Sequence, residues 1–235
     1  MTQHNILVIN PNSSESITKT LERTLIAPPS TNLHFFTGPS SSPPSINDEA
    51  TSKQSCDACL PVLLSTVEDY DGFLVACYSE HSLVAALRDK VSGKPVVGIF
   101  EASVVHSLLR GRKFGIVTTG QAWETLLSQA VHNFLGLGSY VSERPLQSGR
   151  FAGVTSTGLG VLELHDANPD EVSQRIGLAA RRLVEDAGAD VICLGCAGMV
   201  GMEDAVRKGV NGKEVVVVDG VVSGVELLAG MIRTM

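Results

Sequence analysis

Asp71-Gly-Phe-Leu-Val-Ala-Cys77 and Asp190-Val-Ile-Cys-Leu-Gly-Cys196 are two versions of one pattern: an aspartate, an apolar run, and a cysteine six residues after the aspartate. Seventeen residues after each cysteine a lysine opens another apolar run, Lys94-Pro-Val-Val-Gly-Ile-Phe-Glu101 and Lys213-Glu-Val-Val-Val-Val-Asp-Gly220, and the offset between the copies stays at 119 residues. A duplication of this kind implies two similar lobes. Thiols at equivalent strand ends are expected to face one another across a cleft, an arrangement suited to an acid and a base on opposite faces of a small substrate.

Outward from these runs, short apolar strands alternate with longer helical patterns. Strands are expected at Ile6–Ile9, Leu33–Phe36, Phe73–Ala76, Val96–Phe100, Phe114–Thr119, Val191–Leu194 and Val215–Val218, with a weak one at Ser139–Val141. Helices are expected over Ser13–Ile26, Asp48–Val67 with a break or fresh turn at Pro61, Ser79–Lys90, Ala102–Leu109, Gln121–Leu135, Asn168–Ala187 and Val221–Ile232. Asn12 with Glu15 fits a capping box, and Asn168-Pro169-Asp170-Glu171 a capped helix start with proline in the first turn. Gly38-Pro-Ser-Ser-Ser-Pro-Pro-Ser45 reads as a loop. Strands alternating with helices mean an α/β fold of mostly parallel sheets flanked by helices. The repeat divides the chain into one lobe of residues 1–98 plus 219–235 and a second of residues 99–218, related by a pseudo-two-fold. Parallel sheets place ligands beyond the carboxyl ends of their strands, where Asn10, Cys77, Thr118, Thr119 and Cys196 all fall.

Composition narrows the function classes. With 43% hydrophobic and 18% charged residues, the 235-residue chain has a globular composition. A formal charge of −7 argues against nucleic-acid and anionic-membrane surfaces. Met1-Thr-Gln-His-Asn5 runs directly into a strand, leaving no room for a signal peptide, and no apolar stretch approaches the ~20 residues that span a bilayer. A cytoplasmic protein is therefore expected. Five cysteines at irregular spacing do not form a disulfide framework.

A thiol between a strand and a helix sits near free backbone N–H groups and the positive end of a helix dipole, which is expected to lower its pKa from about 8.5. Ala197 and Gly198 let a substrate approach the backbone after Cys196. Cys193, inside its strand, reads as core. Cys56-Asp-Ala-Cys59 lacks a second ligand pair for zinc, so no metal is expected, and its cysteines read as incidental helix residues. Glu80 and His81 invite a Cys–His pair with Cys77, but a lining or capping role fits a helix start better. Glu101 reads as a helix-dipole carboxylate or a tether, and His165 and Asp166 as surface loop residues. The Gly195–Gly201 patch lacks the lysine of a phosphate-binding loop.

Ile6-Leu-Val-Ile-Asn-Pro-Asn-Ser13, Leu74-Val-Ala-Cys-Tyr78, Val97-Gly-Ile-Phe-Glu-Ala-Ser103, Phe114-Gly-Ile-Val-Thr-Thr119 and Leu194-Gly-Cys-Ala-Gly-Met199 together resemble the Asp/Glu/hydantoin racemase superfamily, and within it the hydantoin and allantoin racemase branch. The resemblance implies a racemase that uses no cofactor, Cys77 and Cys196 acting as a two-base pair on a hydantoin-like small molecule. It further implies ring contacts from Asn10, Tyr78, Ser79, Thr118, Thr119, Ala197 and Gly198, a closing segment at Ser45 and Ile46, and assembly into a homo-oligomer. Where the hydantoin branch usually carries Cys-Phe followed by small or acidic residues and Pro, this chain has Cys77-Tyr-Ser-Glu-His81, a run that either recognises a polar appendage such as the ureido group of allantoin or simply reshapes the pocket. The rival readings are an aspartate/glutamate-type racemase, whose cysteines lie in Asn-Thr and Thr-rich contexts, a two-lobed binding protein without activity, and a redox protein built on Cys56 and Cys59.

Overall fold

A computed structural model describes residues 3–137 and 149–235. The chain divides into two compact units, Met1–Ala102 with Val221–Met235, and Ser103–Gly220.

In the first unit β1 (His4–Asn10) leads to α1 (Glu15–Thr24), β2 (Thr31–Thr37), α2 (Glu49–Leu64), β3 (Gly72–Val75), α3 (Ser82–Arg88) and β4 (Val96–Gly98). The chain passes into the second unit along α4 (Ile99–Arg110), followed by β5 (Phe114–Thr118), α5 (Ala122–Phe134), β6 (Phe151–Ser156), α6 (Glu163–Asp166), α7 (Pro169–Glu185), β7 (Val191–Leu194), α8 (Glu203–Gly209) and β8 (Val216–Asp219). Helix α9 (Gly220–Arg233) returns it to the first.

Each unit holds a four-stranded sheet, ordered β2-β1-β3-β4 in one and β6-β5-β7-β8 in the other, with all strands parallel. The expected α/β architecture is therefore observed. The central strands β3, β5 and β7 are buried along their whole length, as continuous apolar runs in a doubly covered sheet must be. In both sheets the chain starts at an inner strand, steps to one edge, then returns past its starting strand. Its reversal point lies between β1 and β3 in one sheet and between β5 and β7 in the other. Connections there leave in opposite directions, opening a crevice at the carboxyl ends.

The repeated aspartates act at the other end of these sheets. Asp71 Oδ2 accepts the Asn5 N–H at 2.7 Å, and Asp190 Oδ1 accepts those of Lys113 at 2.7 Å and Arg112 at 3.0 Å. Each carboxylate thereby ties the start of an inner strand to its neighbour. Burial alone would raise the pKa of Asp190; the N–H donors of Lys113 and Arg112 and the Arg112 guanidinium outweigh it and hold the carboxyl below its usual value.

Several boundaries differ from expectation for local reasons. Helix α1 starts at Glu15 because Asn12 Oδ1 accepts the Ser14 N–H at 2.9 Å, forming a turn ahead of the helix rather than a capping box. The box belongs instead to α2, where Asp48 and Thr51 satisfy one another's backbone N–H groups, and α2 continues through Pro61 to Leu64. Ile99 and Phe100 extend the apolar run of β4 yet open α4, with Glu101 accepting the Gly98 N–H at 3.1 Å and pairing with Arg88 at 2.7 Å. Asp166 ends the short helix α6 rather than lying on a loop, whereas Asn168 caps α7 as expected, accepting the Asp170 N–H at 2.8 Å. Strand β6 and helix α8 are not expected from the sequence pattern. β6 is broken by an extra residue at Ala152 and by Gly153 at φ +116°, a conformation that glycine adopts readily. The strand expected over residues 139–141 lies outside the described residues. No helix among the described residues is long and apolar enough to cross a membrane.

Candidate functional site

Cys77 and Cys196 each lie two residues beyond a strand, β3 and β7, beside the reversal point of their own sheet. Both are half-buried free cysteines, whereas Cys56, Cys59 and Cys193 are buried. Cys193 packs in the core with its sulfur 3.0 Å from Ser107 Oγ. The Cys56/Cys59 pair is spaced along one face of α2, and Cys59 donates to the Pro11 carbonyl at 3.3 Å. Among the described residues no cluster of three or more His, Cys, Asp or Glu could hold a metal ion.

In the first unit the Ala76 N–H donates to the Ile9 carbonyl at 2.8 Å, and the Ser79 N–H turns back onto the Cys77 carbonyl at 3.1 Å. The turn brings the Ser79 hydroxyl within 3.5 Å of Cys77 Sγ. Tyr78 is buried with its ring edge-on to Phe100, 5.7 Å between centroids. Asn10 is fully buried. Its amide donates to the Ser14 carbonyl at 3.0 Å and Thr18 Oγ1 at 3.1 Å, and its carbonyl accepts the Asn12 N–H at 3.3 Å. Both amide hydrogens being engaged, Asn10 shapes the turn after β1. In the Pro/Ser loop Ile46 is buried, and the Ser45 hydroxyl donates to Asn47 Oδ1 at 2.9 Å.

His81 is 2% exposed, and its Nδ1 accepts the Leu83 N–H at 3.1 Å, capping α3. The helix accordingly starts at Ser82, three residues later than the sequence suggested. Burial pushes the His81 imidazole down to about 4, so the ring is neutral at physiological pH. The capping role expected of it is thus observed.

In the second unit the Gly195 N–H donates to the Val117 carbonyl at 2.7 Å, and the Thr118 hydroxyl donates to the Gly195 carbonyl at 3.3 Å. A Cβ at residue 195 would lie 2.6 Å from Ile116 Cγ2 and 2.7 Å from the Val117 oxygen, so only glycine permits this approach. The Thr119 carbonyl holds the Gly158 N–H at 3.1 Å. Beyond Cys196 the chain makes a 3-10 turn over Ala197–Met199, all three residues buried, and the Gly198 N–H points at Cys196 Sγ at 3.4 Å. Asp219, buried at the end of β8, steadies this segment by accepting the Gly201 N–H at 3.2 Å. Its one signal in the sequence is a single carboxylate closing the valine run of residues 215–218.

The electrostatics of Cys196 overturn one expectation. Burial raises its thiol to about 11; the Gly198 and Met199 N–H groups work in the other direction without cancelling it. Desolvation of a thiolate outweighs two amide dipoles here, and at neutral pH the group rests as a thiol, a proton donor. Each unit thus presents a thiol at the carboxyl end of a parallel strand, Cys77 beside a hydroxyl and Cys196 beside amide N–H groups.

Residues 6–228 match the family model described as Asp/Glu/Hydantoin racemase. The chain belongs to this family. It is 40% identical to an uncharacterized protein of Schizosaccharomyces pombe over 97% of this chain and 92% of that one. With a hydantoin racemase of a Pseudomonas species it shares 30% identity over 94% of this chain and 83% of the other. Among solved structures it resembles the allantoin racemase of Pseudomonas fluorescens, with a TM-score of 0.84, 28% identity and coverage of 98% of this chain and 91% of that one. These similarities point to the hydantoin and allantoin branch, and the family's racemases are isomerases.

Proposed function

We propose that the protein is a cofactor-independent racemase of 5-substituted hydantoins, with allantoin the first substrate to test. One observation carries the reading: each unit presents a half-buried cysteine at the carboxyl end of a strand, beside the reversal point of its sheet. One thiolate removes the proton at the stereocentre, breaking C–H and forming S–H. The resulting carbanion spreads onto the neighbouring carbonyl oxygen, where backbone N–H donors stabilise it. The opposite thiol then gives its proton to the other face. Charge is conserved, and the pair is left with its proton on the other sulfur, to be returned through solvent before the next turnover in the same direction. Because Cys196 rests as a thiol, it delivers the proton in one direction and must first lose its own in the other. Ser79 beside Cys77, the turns containing Asn10, Thr118 and Thr119, the Ala197–Gly198 backbone, Tyr78, and Ser45 with Ile46 would line the ring and its substituent.

The test is loss of optical rotation of enantiopure allantoin and of a small hydantoin panel. Racemisation of at least one ring is expected, abolished in Cys77→Ser and in Cys196→Ser. Full activity in either variant contradicts the two-base mechanism, and racemisation of free glutamate or aspartate in place of hydantoins contradicts the substrate class.

A further inference from the structure

The inner face of α2 carries two polar side chains one helical turn apart, Ser55 and Cys59, both fully buried. Buried polar groups on an apolar face demand partners, and both find them in loops at the carboxyl ends of the first sheet. Cys59 Sγ donates to the Pro11 carbonyl at 3.3 Å, in the connection after β1, and lies 3.4 Å from Ser42 Oγ, in the connection after β2. Ser55 Oγ lies 2.9 Å from His81 Nε2, in the connection after β3.

The hydrogens of this last contact can be assigned. Ser55 Oγ donates to the Ser52 carbonyl at 3.0 Å, so toward His81 it is the acceptor. His81 Nδ1 accepts from Leu83, which leaves the ring proton on Nε2, directed at Ser55. His81 thus satisfies α3 with one nitrogen and binds α2 with the other. At the opposite end of the same segment, Ala76 is fixed to β1 through the Ile9 carbonyl at 2.8 Å. Only Cys77, Tyr78, Ser79 and Glu80 lie between these two fixed points. A span that short transmits a shift of its anchor directly to the thiol.

We propose that Ser55 and His81 form a positioning pair that sets the place of the Cys77 thiol, His81 serving as a tether to α2 in addition to capping α3. The kinetic part rests on the proposed racemase reading; the labelling part does not.

His81→Asn separates the two duties, because an asparagine side chain still caps a helix but is too short to reach Ser55. Ser55→Ala removes the same bond from the other side. With the full-length protein, each variant is expected to lower kcat about tenfold with KM within about twofold, and the double variant to be no worse than either single one. Iodoacetamide labelling of Cys77, resolved by peptide mass spectrometry, is expected to quicken about threefold as the half-buried thiol loosens, while labelling of Cys196 stays unchanged. Urea unfolding of the same samples checks that they are folded. Wild-type kcat and wild-type Cys77 labelling in His81→Asn would show that His81 only caps α3, and would overturn the proposal. If the wild-type protein racemises no hydantoin, the racemase reading fails while the labelling comparison still decides the tether.

Discussion

The two cysteine loops descend from one pattern but solve the placement of a thiol differently. The Cys77 loop has side-chain supports: Ser79 beside the sulfur, Tyr78 packed against Phe100, and His81 bound between two helices. The Cys196 loop is held at its flanks, by the Thr118 hydroxyl on the Gly195 carbonyl and by Asp219 on the Gly201 N–H. Around the sulfur itself its supports are backbone groups, with Gly195 pressed onto β5 and the Gly198 N–H aimed at the sulfur. A loop built from side chains can vary its surface by substitution, whereas one built from close backbone contact cannot add a Cβ without disrupting its turn. Substitution can therefore reshape the surface beside Cys77 more freely than the surface beside Cys196.

The sharpest way to break this comparison is isotopic. With substrate in deuterated solvent, Cys77→Ser and Cys196→Ser are each expected to lose racemisation by about a thousandfold. Each should retain slow exchange at the stereocentre without inversion, Cys77→Ser in one enantiomer and Cys196→Ser in the other. Exchange of the same enantiomer in both variants would mean that the thiols do not serve opposite faces.

Next in size is a difference in acidity. With its thiol at about 11, Cys196 should label with iodoacetamide about tenfold faster for each pH unit between 7 and 9.5 without levelling. A plateau near pH 8 would show that the amide donors, rather than burial, govern that thiol.

His81 marks the first unit in a third way. Its folded-state pKa of about 4 lies below the ordinary 6.5, so the unfolded chain takes up the proton first. The associated stability is complete above pH 6.5 and is lost as pH falls toward 4, about 3 kcal/mol in all. Urea unfolding at pH 7 and pH 4.5 should show this loss, and His81→Asn should diminish it.

The smallest effects belong to the feature the halves share most closely. Asp71→Ala and Asp190→Ala are expected to cost about 1–2 kcal/mol of stability each, with KM unchanged, because both carboxylates bind strand starts remote from the thiols along their strands. A large change in KM would relocate the aspartates into the site.

Much of this architecture is legible in the sequence because buried parallel strands are continuous apolar runs. Val191-Ile-Cys-Leu194 matches β7 residue for residue, with Cys193 buried in the core as its place in the run implies. Edge strands carry a weaker signal, and β6, with its glycine and its extra residue, carries almost none. Boundaries at the site depart from the sequence pattern where tertiary context overrides local propensity: His81 delays α3, and Ile99 and Phe100 are helical despite their β-branched and aromatic character. The raised thiol of Cys196 was illegible, since desolvation depends on what surrounds the sulfur in space, whereas dipole arguments need only the neighbours in sequence. Ser55 and Cys59 were equally hidden, because their partners lie 26 and 48 residues away along the chain.

Helix α9 sets an order of completion on the growing chain. Its Leu228 and Ile232 side chains press on Gly72 at the start of β3, and Gly224 admits Leu74 from the same strand. The strand that carries Cys77 is therefore left uncovered on that side until residues 221–235 have left the ribosome. The second unit, contiguous from Ser103 to Gly220, has by then had its whole sequence available. The half that is translated first is therefore the last to be finished.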